Sequence, residues 1–454
     1  MDIKKNLTVE IEITGMTAEG NGVGRYEGTV VFVPSAAVGD RISCRIVKVC
    51  KNFCYGKIED IISPSPDRTA ETGCEVYSKC GGCIFRHIGY DAELRIKENI
   101  VRDAFRRIGG LEPEFESILG CERTSRYRNK AQYPVAFADG KAVCGFYAPR
   151  SHRVIPCGDC DLQPEIFSEI TAEILKYIND KKITVYDENT KKGIIRHIYL
   201  RRGEHSGEIM ACIVAAKKNK KIFSELGELL TVKFPDIKSF VLNVNPDNTN
   251  VILGRENIII CGKDHIEDTM CGNRIKISPL SFYQVNTLQA ERLYETARDL
   301  AGSKGGGTLL DLYCGAGTVG LSFSDDTEKL IGCEIIPEAV ENARENARLN
   351  NIPNAEFICG DAAKVSEKLA ERGLAPDIIV TDPPRKGCDE RTLLSVIKMA
   401  PSKIVMISCN PATAARDCAF LEAHGYKAVK VKAVDMFPRT GHVECVVLLS
   451  PKKP

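Results

Sequence analysis

The sequence predicts an α/β fold for its last third, a parallel sheet covered by helices, with a small OB-like β-barrel at the amino end and a mixed α+β segment between them. Three observations carry this. Apolar strand-length runs alternate with helical stretches after Lys304-Gly305-Gly306-Gly307, and short alternating runs separated by Gly-rich turns fill Leu7 to Ile62. The chain is 454 residues long, more than one hydrophobic core usually supports. The divisions expected are 1–62 for the barrel, 63–270 for the central segment and 271–454 for the α/β unit.

In the barrel, Val9-Glu10-Ile11-Glu12-Ile13 and Thr29-Val30-Val31-Phe32-Val33 alternate as half-buried strands, and Gly20-Asn21-Gly22-Val23-Gly24 and Gly39-Asp40 read as turns. Ser63-Pro64-Ser65-Pro66 reads as a linker. The spacing of Leu94, Ile96, Ile100, Val101, Ala104 and Phe105 predicts a helix over Tyr90 to Ile108, with its charges on the opposite side. Strand-like runs follow at Ala131 to Phe137, Ile194 to Leu200 and Ile209 to Ala215. In the α/β unit the strand candidates are Thr308 to Leu312, Leu330 to Glu334, Ala355 to Cys359, Asp377 to Thr381 and Ile404 to Ser408, alternating with helical stretches such as Pro337 to Asn350 and Arg391 to Ala400. Val429 to Met436 and His442 to Leu449 are joined by so short a connection that they must run antiparallel. Function is expected at the carboxyl ends of the parallel strands.

Composition narrows the class. Met1 to Asn6 leads into alternating charges, and no apolar run approaches the ~18 residues of a membrane helix, so a cytoplasmic protein with no membrane partner is expected. Twenty cysteines in such a chain are not a disulfide framework, and metal ligation or catalysis must account for some of them. A net charge of +1 means that nucleic-acid binding would rest on local patches. No obligate protein partner is evident.

Gly315-Ala316-Gly317-Thr318-Val319-Gly320 satisfies G-x-G-x-x-G after a strand, and Glu334 ends the next strand, where an acceptor for ribose hydroxyls belongs. A nicotinamide dinucleotide and S-adenosylmethionine both fit that motif. Asp311, inside the first strand, favours the sulfonium donor, because it suits an ammonium group and would repel a pyrophosphate. Asp361 suits an adenine amino group, and Asp382-Pro383-Pro384 closes the fourth strand.

Cys409 ends the apolar run Ile404 to Ser408 and is followed at once by Asn410-Pro411, which puts a thiol at a strand tip beside the donor site. Uracil C5 is a poor nucleophile until something adds to C6, and a thiolate supplies that addition. After methylation C5 still carries a proton, for which Glu444, in Val443-Glu444-Cys445-Val446, is the candidate base.

Cys74-x5-Cys80-x2-Cys83 sits among glycines, with a further candidate at Cys160 in Cys157-Gly158-Asp159-Cys160. Four thiolates suit zinc or a [4Fe-4S] cluster on count, and the x5 spacing tilts towards iron and sulfur. Arg123 to Lys130 and Arg196 to Arg202 interleave cations with aromatics; beside a small barrel and a thiol suited to pyrimidines, single-stranded RNA is their expected partner.

At these residues the chain resembles the RNA (uracil-5-)-methyltransferase family, in its ribosomal RNA branch with a TRAM domain and an iron-sulfur cluster. The resemblance runs over nearly the whole length. It is carried by Ala18 to Arg25 with Val31 to Pro34, by Tyr127-Arg128-Asn129-Lys130, by Ser281-Phe282-Tyr283-Gln284-Val285-Asn286, by Asp382 to Gly387 and by Ser408 to Thr413. It implies a Rossmann-like S-adenosylmethionine methyltransferase domain making 5-methyluridine, most plausibly in 23S ribosomal RNA, with transfer RNA as an alternative substrate. It further implies that Gln284, Tyr313, Glu334 and Asp382 contact the donor, that Cys409 is the nucleophile and Glu444 the base, and that Cys74, Cys80, Cys83 and Cys160 bind a [4Fe-4S] cluster. The chain departs from the family pattern at Met406, where an aromatic is frequent, and at Cys445, where Thr is frequent. The rival readings are a nicotinamide-linked oxidoreductase and a non-catalytic RNA-binding scaffold.

Overall fold

The computed structural model describes residues 3–69, 72–302 and 306–452, so that Met1, Asp2, Lys304 and Gly305 of the stretches above lie outside the described residues. Strands β1 (Thr8–Met16), β2 (Asn21–Tyr26), β3 (Thr29–Pro34), β4 (Arg41–Val49) and β5 (Phe53–Ser63) close into a barrel in the order β1-β2-β3-β5-β4. Alternation sends Val9, Ile11, Ile13, Val31, Val33 and Ile42 into its core. Residues 21–24, whose glycines predict a turn, are strand instead. A Cβ on Gly24 would lie 2.8 Å from the Glu12 carbonyl oxygen, so glycine here serves close strand approach. The stretch read as a linker is tied down: buried Asp40 accepts the Ser65 N–H at 2.9 Å and the Arg68 guanidinium at 2.7 and 2.8 Å.

After the short α1 (Tyr77–Cys80), helix α2 (Tyr90–Asp103) ends earlier than its apolar spacing predicts and passes into a π-helical turn, Ala104–Gly109. A Cβ on Gly109 would come within 3.0 Å of the Ala415 carbonyl, so this turn lies hard against the last helix of the chain. The expected separation of faces also fails, for Glu93 and Lys97 are fully buried.

Strand β6 (Glu114–Leu119) precedes β7 (Lys130–Ala138), β8 (Lys141–Tyr147), β9 (Val154–Pro156), α3 (Glu165–Asp180), β10 (Ile195–Arg202), β11 (Ile209–Ala215), α4 (Lys220–Lys233), β12 (Ile237–Val244) and β13 (Glu256–Gly262). Seven of these strands form a sheet in the order β13-β12-β11-β10-β7-β8-β9. The two helices pack on one face through Phe167, Ile170, Phe223 and Leu226. The other face gives Tyr199, Met210, Cys212 and Val214 to a core shared with the α/β unit.

A hairpin, β14 (Ile266–Met270) and β15 (Asn273–Ile277), and helix α5 (Thr287–Ala301) lead into that unit. It comprises β16 (Thr308–Leu312), α6 (Thr318–Ser322), β17 (Lys329–Glu334), α7 (Pro337–Leu349), β18 (Ala355–Cys359), α8 (Ala362–Glu371), β19 (Ile378–Thr381), α9 (Glu390–Met399), β20 (Lys403–Ser408), α10 (Pro411–Ala423), β21 (Tyr426–Val434) and β22 (Glu444–Pro451). The sheet order is β18-β17-β16-β19-β20-β22-β21-β6. Its first five strands are parallel and β22 is antiparallel to both neighbours, as the short connection predicts. Strand β6 comes from the first third of the chain and covers the edge of β21, aided by Lys430 and Lys432 against Glu116 at 3.2 and 3.3 Å. The chain reverses direction across the sheet between β16 and β19, and the crevice belonging to that reversal opens at the carboxyl ends of the strands. No helix among the described residues is long and apolar enough to cross a membrane.

Candidate active site

Four of the singled-out side chains leave successive strand ends. Leu312 pairs with Cys333 and with Thr381, and Thr381 pairs with Met406, so Tyr313, Glu334, Asp382 and Cys409 come off the same edge of the sheet. Tyr313 turns the chain there with a φ of 70°, a left-handed conformation rare for an aromatic residue, and its hydroxyl reaches Thr392 and Cys388 at α9. The glycine loop follows and α6 starts. Gly320 gives its N–H to Asp311 Oδ2 at 2.8 Å, and a Cβ there would meet that carboxylate at 2.9 Å. Asp311 Oδ1 is buried without a partner, and burial pushes the carboxyl up to about 8. A buried acceptor left over in this way suits a cationic group such as the ammonium of S-adenosylmethionine.

Glu334 accepts the N–H groups of Gly315 at 3.2 Å and Ile336 at 2.8 Å, which fixes its carboxylate against the glycine loop. Asp361 caps α8 by accepting the Lys364 N–H at 3.3 Å. Gln284 lies between β15 and α5. Its carbonyl takes the Asn129 side-chain amide at 2.8 Å, and its own side chain hydrogen-bonds Tyr294, whose hydroxyl is 3.5 Å from Thr318 Oγ1 at the start of α6. The glutamine is thereby held at the glycine-loop helix.

The antiparallel register pairs Ser408 with Cys445, which sets Cys409 across from Glu444. The Cys409 turn is pinned by Asn410, which caps α10 through the Ala412 N–H at 3.1 Å and donates its amide to the Arg385 carbonyl at 3.0 Å. Burial, then the Glu444 and Asp382 carboxylates, push the Cys409 thiol up to about 11, against the pull of Arg385. Glu444 is 6% exposed, not the solvated edge residue that a lone acid at a strand start suggests. Burial and Asp382 raise it to about 8, again opposed by Arg385, and Asp382 itself is raised to about 7 by burial. The pocket therefore concentrates carboxylates that Arg385 does not fully offset, and a positively charged ligand relieves them. Arg385 was legible only as part of its motif; its guanidinium also meets His442 at 3.1 Å.

Cys74, Cys80, Cys83 and Cys160 lie within one another's electrostatic reach. Arg86 donates to Cys83 Sγ at 3.3 Å and to Asp161 at 2.6 Å, Gly82 donates its N–H to Cys80, and Leu162 donates its own to Cys160. Such donors are what thiolate ligands receive in iron-sulfur sites. Cys157 is different: it is buried and gives its own proton to the Asp159 carbonyl at 3.3 Å. Among the described residues no three His, Cys, Asp or Glu side chains converge closely enough for a single metal ion. A cluster, in which each thiolate meets a different iron, asks for a wider set of sulfurs.

The basic patches differ from their sequence reading. Strand β10 is central, so Arg196, His197 and Arg201 are buried, and Arg201 Nη1 donates to the Ser281 carbonyl at 2.8 Å. Arg123 pairs with Glu204 at 2.8 Å, and Arg126 with Asp159 at 2.6 Å. Much of this charge holds segments together, a role that a cluster of cations in the sequence does not distinguish from RNA binding.

Comparison with known proteins agrees with this fold. The family model described as tRNA (Uracil-5-)-methyltransferase matches residues 89–452, and that of the TRAM domain matches residues 4–58. An uncharacterized RNA methyltransferase of Clostridium tetani is 43% identical over 448 residues, 99% of this chain and 97% of its own length. One from Listeria innocua is 43% identical over 454 residues, 99% of each. The solved Pyrococcus abyssi tRNA (uracil-54, C5)-methyltransferase, in complex with S-adenosyl-L-homocysteine, is 26% identical with a TM-score of 0.77, covering 97% of this chain and 100% of that one.

Proposed function

This chain belongs to the RNA (uracil-5-)-methyltransferase family, with a TRAM domain ahead of its S-adenosylmethionine-dependent methyltransferase fold, and from that premise we propose that it methylates uracil C5 in ribosomal RNA through a covalent Cys409 adduct. The observation that carries the mechanism is the register that puts Cys409 across from Glu444, with Asp382 on the neighbouring strand end. Gln284, Tyr313, Glu334, Asp361 and Asp382 form the donor site, where the orphaned Asp311 Oδ1 receives a cationic group.

Cys409 enters as thiolate, favoured by Arg385 and by the positive charge of the donor, and adds to C6 of a uridine extruded from its stack. The electron pair displaced from the ring makes C5 nucleophilic, and C5 takes the methyl group that the sulfonium supplies. Glu444 then accepts the C5 proton, the C5–C6 double bond re-forms, and Cys409 leaves as thiolate. Glu444 must be ionised for its step, and donor charge in the pocket counters the burial that holds it protonated.

Cys74, Cys80, Cys83 and Cys160 would hold a [4Fe-4S] cluster that organises the central segment, with no electron transfer in the methylation itself. The choice of ribosomal RNA rests on that cysteine set together with the TRAM domain; the solved archaeal relative acts on transfer RNA. Mass-spectrometric mapping of 5-methyluridine in both RNAs, from cells with and without the protein, decides between them.

Tritium release from C5-labelled uracil RNA, dependent on S-adenosylmethionine, tests the reaction, and RNA carrying 5-fluorouridine tests the adduct. A gel-stable complex with the native protein and none with Cys409→Ala is the expected result. Normal turnover by the alanine variant sinks the mechanism.

A further inference from the structure

At the amino end of β10, on the side of the central sheet that also carries Tyr199 and Arg201, lies an open cavity of about 1270 Å³ that the methyl-transfer chemistry does not use. Its lining includes Phe137, 69% exposed near the end of β7, and Tyr147, 37% exposed at the end of β8. The two rings line one concavity, so they are not the singly scattered apolar residues common on protein surfaces. Tyr186 adds a third ring, with the Arg196 guanidinium 4.7 Å from its centre, and Arg153 is an exposed cation at the rim.

The chemistry of the cavity is more specific than apolar exposure. His197 lines it, is only 6% exposed, and its Nδ1 has no hydrogen-bond partner; the Arg196 Nε beside it is likewise unpartnered. Nδ1 is covered by protein, so the imidazole meets a ligand in the cavity through the part of the ring that lines it. Desolvation and the neighbouring Arg196 lower the His197 pKa to about 4, so the imidazole is neutral and offers base-edge hydrogen bonding rather than a charge for phosphate. The carboxylates at the rim are occupied: Glu188 pairs with Arg196 at 3.2 Å and Lys191 at 3.6 Å, and Asp187 accepts the Asn189 and Thr190 N–H groups. The strand that lines the cavity also leads towards the catalytic region. Four residues along the same strand from His197, about 13 Å, Arg201 holds the carbonyls of the Ser281–Tyr283 segment that leads to Gln284.

We infer that this cavity is a second RNA subsite, receiving unpaired bases of the substrate next to the target uridine, stacked on Phe137 and Tyr147 and read at their edges by His197. Stacking rings, a neutral hydrogen-bonding edge and few free cations are the marks of base recognition in single strands, whereas a phosphate track would expose lysines and arginines. The volume suits a short single-stranded segment better than one small metabolite. The inference rests on the RNA-methylation reading above.

The test uses the full-length protein with Phe137→Ala, Tyr147→Ala and the double variant, all at exposed positions where folding is not at stake, and His197→Phe as a fourth. Loss of a stacked ring raises the KM for RNA about tenfold or more, with kcat at saturating RNA and S-adenosylmethionine affinity unchanged. RNA carrying 4-thiouridine near the target gives photocrosslinks to residues 135–154 or 185–197, and this readout needs no methylation. An unchanged KM with crosslinks elsewhere overturns the subsite. Absence of tritium release from the native protein, with those crosslinks intact, overturns the catalytic reading while leaving the subsite standing.

Discussion

Lys97 Nζ lies 2.7 Å from Asp435 Oδ1 and 2.7 Å from Glu93 Oε1, and none of the three side chains reaches solvent. The contact joins α2 to the loop of residues 435–442 that delivers Glu444. Around it Tyr90 donates to Asp435 at 2.8 Å, the Arg439 N–H to Glu93 at 2.7 Å, and Lys97 also to the Phe437 carbonyl at 3.1 Å. One ammonium thus serves two carboxylates and a carbonyl, and burial keeps Glu93 above the usual carboxylate range.

Replacing Lys97 by Met strands both carboxylates in the interior, and a broken buried pair costs about 3–5 kcal/mol. Urea unfolding at neutral pH should show a loss of that size, narrowing in acid as Glu93 is protonated. A variant as stable as the native protein would mean that water reaches the triad.

Glu444→Gln separates the two halves of the reaction. The glutamine keeps the shape of the side chain opposite Cys409 but accepts no proton, so C6 addition and methyl transfer proceed while C5 deprotonation stalls. A methylated, covalently held RNA should accumulate with at most one turnover of S-adenosylhomocysteine, and steady-state tritium release should fall by about 10²–10⁴-fold. If free methylated RNA appears at the native rate, the proton leaves by another route.

The parts of this fold legible in the sequence are those with a strict period. The α/β strands and the alternation of the barrel were readable because each apolar residue there faces a core directly, and Cys409 and Glu444 stood out because each interrupts or ends an apolar run. Residues 21–24 were misread because glycine serves close strand packing and turns alike. Glu93 and Lys97 were misread because their partner Asp435 is more than 300 positions away, and nothing local distinguishes a buried i,i+4 pair from a solvated one. The same holds for β6, whose place at the edge of β21 depends on a pairing remote in sequence.

The pH behaviour of the proposed active site follows from three raised carboxyls, Asp311 at about 8 and Asp382 at about 7 on the donor side and Glu444 at about 8 beside Cys409, each lifted first by burial. In the unfolded chain such groups titrate near about 4. Between those limits these three groups hold more protons in the folded protein than in the unfolded one, so without ligand their contribution to stability is full below about 4 and is lost as pH rises through about 7 to 8. A cationic ligand favours the ionised forms. S-adenosylmethionine should therefore bind more tightly and raise the melting temperature more as pH increases over this window, releasing protons as it binds. Calorimetry in buffers of different ionisation enthalpy measures that release; proton uptake, or none, would contradict the placing of these acids around a bound cation.

For the proposed cluster, the choice of a fourth ligand turns on which thiol receives hydrogen bonds and which gives one. Cys157 spends its proton on the Asp159 carbonyl at 3.3 Å. Cys160 instead receives the Leu162 N–H, on the same segment whose Asp161 holds Arg86 against Cys83. After anaerobic reconstitution, Cys160→Ala should lose iron, acid-labile sulfide and visible charge-transfer absorption, while Cys157→Ala keeps all three. Removing Arg86 takes away a donor that a thiolate ligand uses, so Arg86→Ala should assemble the cluster but lose it faster in air. Iron retained by Cys160→Ala and lost by Cys157→Ala would reverse the assignment and place the cluster nearer β9.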